Sequence, residues 1–131
     1  MKIDNINDFE RLERPRVQEI PGFYGKKLID GVVIKKLPMF SDERGFLCEF
    51  IRLNDEELKA SNIKQMIASY SYPGMIKGWH LHSKQEDHLF CVKGMVKIVL
   101  YDFRKDSPTY GLINEIFMGD KSPSIVFIQR F

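Results

Sequence analysis

Cysteine is scarce here, with two in 131 residues, and those two, Cys48 and Cys91, stand far apart in apolar runs. That excludes a disulfide scaffold and a cysteine-based zinc site, and it predicts two buried free thiols in a reducing compartment. Long apolar runs are missing too. No window approaches the roughly 20 apolar residues of a membrane span, and the polar segment 1–16 has no signal-peptide core. A charge of one sign is also lacking, since 20 Lys and Arg nearly balance 18 Asp and Glu. A dedicated nucleic-acid surface is therefore not expected, although a local basic pocket for an anionic small molecule is. These absences predict a protein of the cytoplasm that binds neither membrane nor nucleic acid.

What remains is an ordinary globular composition, with 44% hydrophobic and 29% charged residues, of a size for one domain. Histidine is scarce but concentrated. All three, His80, His82 and His88, fall within nine residues, which marks a candidate site.

Residues 1–31 mix charge with proline and glycine and read as an N-terminal arm, with a short helix possible over 7–12. Residues 32–131 read as the domain. Val32, Val33 and Ile34 open it as a strand, and Ser41 to Gly45 is a polar loop. Strands are predicted over 46–52, 63–72, 75–82, 88–92, 95–102, 112–118 and 124–129. The breaks between them carry turn signals such as Tyr72-Pro73-Gly74, Lys93-Gly94 and Ser122-Pro123. One short helix is expected over 55–60, capped by Asn54. No long segment has a 3.6-residue apolar period, so the fold class is all-β, a sandwich or barrel.

Side chains two apart on a strand share a face. His80 and His82 are therefore expected to point together, with Trp79 and Leu81 on the other side. Imidazole can ligate a metal, and its ordinary pKa also suits it to remove a carbon-bound proton beside a carbonyl. Such a base needs an orienting carboxylate and a donor for the enolate oxygen. Asp87, Glu86, Lys77 and Tyr70 are the nearby candidates. Glu49 lies in an apolar run and, if buried, needs Arg44 or Lys77 as partner. His88 is expected to face a neighbouring strand or solvent.

Gly74, then His80, His82, Asp87 and Gly94 are similar to the first cupin motif, a glycine, five residues, His-x-His, an acid and a closing glycine. A narrower likeness overlies it. Asp42-Glu43-Arg44-Gly45 with Glu49, Lys77-Gly78-Trp79-His80, and Asp102 to Gly111 with its Ser107-Pro108-Thr109 resemble three ordered motifs of the dTDP-4-dehydrorhamnose 3,5-epimerases. The resemblance implies a cupin-type jelly-roll barrel, a homodimer, no metal or other cofactor, and a nucleotide-diphosphate sugar as substrate. It puts the base that abstracts protons at C3 and C5 of a 4-keto sugar on His80, with His82 as orienter or second acid/base. Arg44 and Glu49 match residues that contact the nucleotide, and Lys77 matches a basic residue at the diphosphate.

Some positions depart from the pattern. The family's enolate-stabilising lysine aligns with Asp87, which is counted with the substrate-binding residues. His82 replaces a more usual aromatic residue. Relative to the family, the chain is expected to be cut short at its C-terminus, losing the tyrosine acid and the aspartate that supports the histidine. Two other readings therefore stand beside the epimerase. One is a metal cupin or sugar ketoisomerase using His80, His82 and Glu86 or Asp87. The other is a non-catalytic nucleotide-sugar-binding module.

Overall fold

The structure is a computed structural model, and it describes residue 20, residues 22–25 and residues 27–130. The expected helix over 7–12 lies outside the described residues. Seven strands follow in order: β1 (Val32–Lys36), β2 (Met39–Asp42), β3 (Gly45–Cys48), β4 (Asp87–Phe90), β5 (Met95–Tyr101), β6 (Ile113–Gly119) and β7 (Ser124–Ile128). All pairings are antiparallel: β7 lies between β1 and β4, β2 pairs with β3, and β5 pairs with β6. No described residue forms an α-helix. The all-β expectation holds.

The β7 sequence, Ser-Ile-Val-Phe-Ile, is apolar on both faces, as a central strand should be. Its alternation serves two cores. Val126 packs with Phe23, Ile29, Val32, Ile116 and Met118, whereas Ile125 and Phe127 pack with Leu37, Leu58 and Ala60. Burying each such side chain contributes about 1.5–3 kcal/mol. Phe23 and Ile29 come from the segment read as an arm, yet both are buried. Phe23 also bridges Ile116. Lys35 and Lys36 stand on β1, at the sheet edge, where charge discourages further pairing.

The β2–β3 turn uses two residues, Glu43 and Arg44, and Asp42 accepts the Arg44 backbone N–H at 2.8 Å. Gly45 follows at φ 140°, a conformation that favours glycine.

Three local expectations are corrected. The short helix is a single 3-10 turn at Ala60–Asn62, and Asp55 rather than Asn54 supplies the side-chain bond, accepting the Leu58 N–H at 3.3 Å. The other oxygen of Asp55 pairs with Lys35, which ties this turn to β1. The strands expected over 63–72 and 75–82 form no ladder with any described residue. Alternating sequence makes a strand possible, but ladder hydrogen bonds require a neighbour, and none of the described strands lies alongside. The turn at Tyr72-Pro73-Gly74 is present, closed by Met75 N–H to Tyr72 C=O at 3.2 Å, with Gly74 at φ 79°. Finally, both cysteines are free as expected but only half-buried. Burial pushes the Cys91 thiol pKa up.

Candidate functional site

The histidine segment runs from the 3-10 turn to β4. His80 and His82 point the same way, with ring centroids 6.3 Å apart and planes within 5° of parallel. That is the arrangement expected from their spacing. At the far end, Asp87 opens β4 and is registered against Ile128 of β7. Its Oδ2 lies 3.4 Å from His82 Nε2, and its Oδ1 accepts a hydrogen bond from Gln85 Nε2 at 3.0 Å. His82 and Asp87 thus form a contact between the connecting segment and the three-stranded sheet. Glu86 turns elsewhere, to Lys59 at 3.8 Å.

His88 does not join the pair. Its Nε2 meets the Leu58 carbonyl oxygen at 2.5 Å, and its ring lies 5.0 Å from that of Phe127. It packs against a neighbouring strand, as expected. Among the described residues, no group of three His, Cys, Asp or Glu side chains is placed to hold a metal ion.

Lys77 and His80 are not joined by any hydrogen bond. The Lys77 ammonium donates to Ser69 Oγ at 2.8 Å and to the Tyr70 carbonyl at 3.1 Å, bridging the turn at Pro73 and Gly74. Arg44 sits at the tip of the β2–β3 hairpin, its side chain 83% exposed and paired with Asp42 at 2.5 Å. That pairing holds the Asp42 carboxyl below its ordinary value. Glu49 is exposed, and its partner is Arg52 at 2.5 Å, not Arg44 or Lys77. Exposure removes the need for a buried counter-ion that the apolar neighbours suggested. The Arg52 guanidinium lowers the Glu49 pKa. His80, His82 and Asp87 therefore lie along one segment, whereas Arg44 pairs with Asp42 and Glu49 with Arg52.

The segment is open to solvent. Ile76 is 96% exposed and Trp79 is 77% exposed. Exposed aromatic and aliphatic side chains this dense are uncommon on the surface of a soluble monomer.

One cluster was visible in the sequence only as part of a motif. Asp102 is fully buried and accepts hydrogen bonds from Arg104 Nε (2.9 Å), Arg104 NH2 (3.0 Å), Ser107 Oγ (2.5 Å) and Thr109 Oγ1 (2.6 Å). Arg104 and the two hydroxyls hold this carboxyl far below the usual carboxylate range, against the opposing effect of burial. The same knot reaches the N-terminal segment: Thr109 Oγ1 accepts the Asp30 N–H at 2.9 Å, and Arg104 donates to the Asp30 carbonyl at 2.8 Å. The signal for it was an acid, an arginine two residues on, and Ser-Pro-Thr, a run that ties this loop to Asp30.

Antiparallel strands, with the histidine pair on the open segment that leads into β4, make this an all-β protein of the cupin-type jelly-roll class. Its fold matches that of dTDP sugar isomerase from Desulfovibrio desulfuricans G20, with a TM-score of 0.65 at 24% identity over 78% of this chain and 64% of that one. Residues 26–130 match the sequence profile of the dTDP-4-dehydrorhamnose 3,5-epimerase family, and the chain belongs to that family. It is 43% identical over 103 residues to the spore coat polysaccharide biosynthesis protein SpsL of Bacillus subtilis (strain 168), covering 79% of this chain and 67% of that protein. It is 33% identical over 101 residues to the probable low-salt glycan biosynthesis epimerase Agl13 of Haloferax volcanii, covering 76% of this chain and 64% of that one. With dTDP-4-dehydrorhamnose 3,5-epimerase of Mycobacterium tuberculosis it shares 28% over 97 residues, 68% of this chain and 47% of that enzyme. The chain thus spans between about half and two thirds of the length of these relatives.

Proposed function

We propose that this chain is a nucleotide-sugar epimerase that acts on a 4-keto-6-deoxy sugar, abstracting protons next to the ketone with its histidine pair. The observation that carries the reading is the parallel placement of His80 and His82, with Asp87 beside His82. Family membership and relatives named as epimerases support it. Protons beside a ketone are acidified because the carbanion delocalises onto oxygen, so an imidazole near neutrality is a competent base.

Arg44 and Lys77 are proposed to meet the diphosphate, and Glu49 and Asp87 to line the rest of the substrate site. For Arg44 this means exchanging Asp42 for phosphate, which a planar guanidinium does well. A homodimer in the cytoplasm is part of the same proposal. The test is to incubate the protein with a nucleotide-linked 4-keto-6-deoxy hexose, reduce the ketone chemically, and resolve the stereoisomers. Inversion at C3, C5 or both is expected, and quantitative recovery of the starting configuration at both carbons refutes the reading.

A second reading, a nucleotide-sugar-binding module without turnover, draws on the exposure of the histidine segment. It predicts saturable binding with no inversion.

A further inference from the structure

We propose that the outer edge of β5 is a self-pairing surface, on which a second copy of this chain adds its own β5 antiparallel across a two-fold axis. This surface is independent of the chemistry at the histidine pair. The other strand edges among the described residues are covered, charged or short. β1 carries Lys35 and Lys36, and β2, β3 and β4 have four residues each. The β6 edge away from β5 is met by the N-terminal segment: Phe23 bridges Ile116, and the Gly22 carbonyl accepts the Phe117 N–H at 2.8 Å. β5 has none of these protections. Its one neighbour among the described strands is β6. It runs for seven residues, Met-Val-Lys-Ile-Val-Leu-Tyr, with no proline or glycine and a single charge, Lys97.

The hydrogen bonds at either end of β5 assign its backbone groups. The Gly94 carbonyl accepts the Asp120 N–H at 3.1 Å, and the Asp102 N–H donates to the Leu112 carbonyl at 3.0 Å. Residues of an antiparallel ladder alternate between the two sides of the strand, so the even-numbered residues in between turn their N–H and C=O toward β6. Lys97, Val99 and Tyr101 turn theirs to the free edge. In agreement, Phe117, which lies opposite Lys97, gives its N–H to Gly22 and not to β5. Such an edge takes up another strand through its backbone, and side chains decide which strand fits.

The strand that fits is β5 itself. A two-fold axis at Ile98 pairs all seven residues with their equivalents in the second copy. It sets Lys97 opposite Val99 of the partner subunit, so the one charged side chain never faces its own copy. Lys97 pairs with Glu115 at 2.6 Å, and Glu115 stands opposite Val99 on β6. An acid thus lies one strand beyond the residue that Lys97 meets across the axis. Met95, Val96, Val99 and Tyr101 are exposed in the single chain. On pairing, Met95 gains Tyr101 of the partner subunit as its opposite residue, and Val96 gains Leu100 of the partner subunit. The two hairpins join into one four-stranded sheet with both β5 strands at its centre.

The experiment follows the full chain by analytical ultracentrifugation over a dilution series, with backbone amide hydrogen exchange measured on the same samples. Wild type is expected to sediment as a dimer in which the Lys97, Val99 and Tyr101 amides are protected. Val99→Lys puts two lysines face to face on each side of the axis and is expected to weaken the dimer roughly tenfold or more. Adding Lys97→Glu to that variant turns both contacts into opposite-charge pairs and is expected to restore the dimer. A wild-type monomer at every concentration overturns the proposal and leaves the epimerase reading intact. A dimer whose three β5 amides exchange like those of an unpaired edge also overturns it, and so does a dimer that Val99→Lys leaves unchanged. If the variants fail to fold, the wild-type exchange decides alone.

Discussion

Replacing Asp102 by asparagine removes one charge from the centre of a dense hydrogen-bonded knot. The carboxylate is fully buried and accepts from the Arg104 guanidinium, Ser107 and Thr109, with the Arg104 backbone N–H adding a bond at 3.1 Å. Asparagine keeps the volume but offers one acceptor oxygen in place of two and removes the negative charge that Arg104 meets at 2.9 Å. Breaking a buried pair by removing one partner costs about 3–5 kcal/mol. For a domain of this size roughly 3 °C of Tm goes with each kcal/mol, so a fall of about 10 °C is expected in a calorimetric or fluorimetric melt at pH 7. The pH dependence follows from the sign of the shift. The folded carboxyl titrates well below its unfolded value of about 3.9, so its contribution is complete above that value and fades as pH falls toward the folded one. The gap between wild type and variant should be constant from pH 7 to about pH 5 and should narrow below about pH 4. A Tm within 2 °C of wild type at pH 7, or a gap that does not narrow in acid, refutes the reasoning.

Three further outcomes are expected. Asn114 accepts the Ile29 N–H at 2.8 Å and donates to the Lys27 carbonyl at 3.0 Å, so Asn114→Ala orphans both groups. At about 1–3 kcal/mol for each unpaired buried group, the urea midpoint should fall clearly, and an unchanged midpoint would show that water replaces the side chain. A Cβ at Gly119 would lie 1.9 Å from the Gly94 carbonyl oxygen, so Gly119→Ala should force the β5–β6 hairpin apart and cost about 1–3 kcal/mol in the same assay. Arg44→Ala, at an exposed hairpin tip, should leave Tm unchanged while weakening nucleotide-sugar binding about tenfold by calorimetry; equal affinity removes Arg44 from the site.

Turn chemistry made most strands legible. Lys93-Gly94 and Ser122-Pro123 bound β5, β6 and β7 within a residue or two of where they lie. Segments 63–72 and 75–82 were misread because alternating apolar residues report a side-chain preference and carry no information about whether a strand lies alongside. The helix expected at 55–60 gave way because Asp55 is drawn to Lys35, a pairing twenty residues apart that no local rule contains. Glu49 was read by its apolar neighbours Phe50 and Ile51, but in the structure it points to Arg52 at the surface. Phe23 and Ile29 were hidden by the proline, glycine and charge around them, and their burial depends on β6 and β7 passing beneath. At the site, the common face of His80 and His82 followed from a spacing of two. That Asp87 and not Glu86 turns toward His82 depends on where β4 begins, which the sequence leaves open between adjacent acids.

The central claim is that this histidine pair enolises a ketone. Proton NMR in D2O tests it most directly, by following the C3 and C5 signals of a bound nucleotide-linked 4-keto-6-deoxy hexose over time. The account predicts that at least one of these signals disappears at a rate proportional to protein concentration, and that the double variant His80→Gln, His82→Gln binds the sugar nucleotide without erasing either. Both signals persisting in the presence of wild-type protein that demonstrably binds the ligand would contradict it.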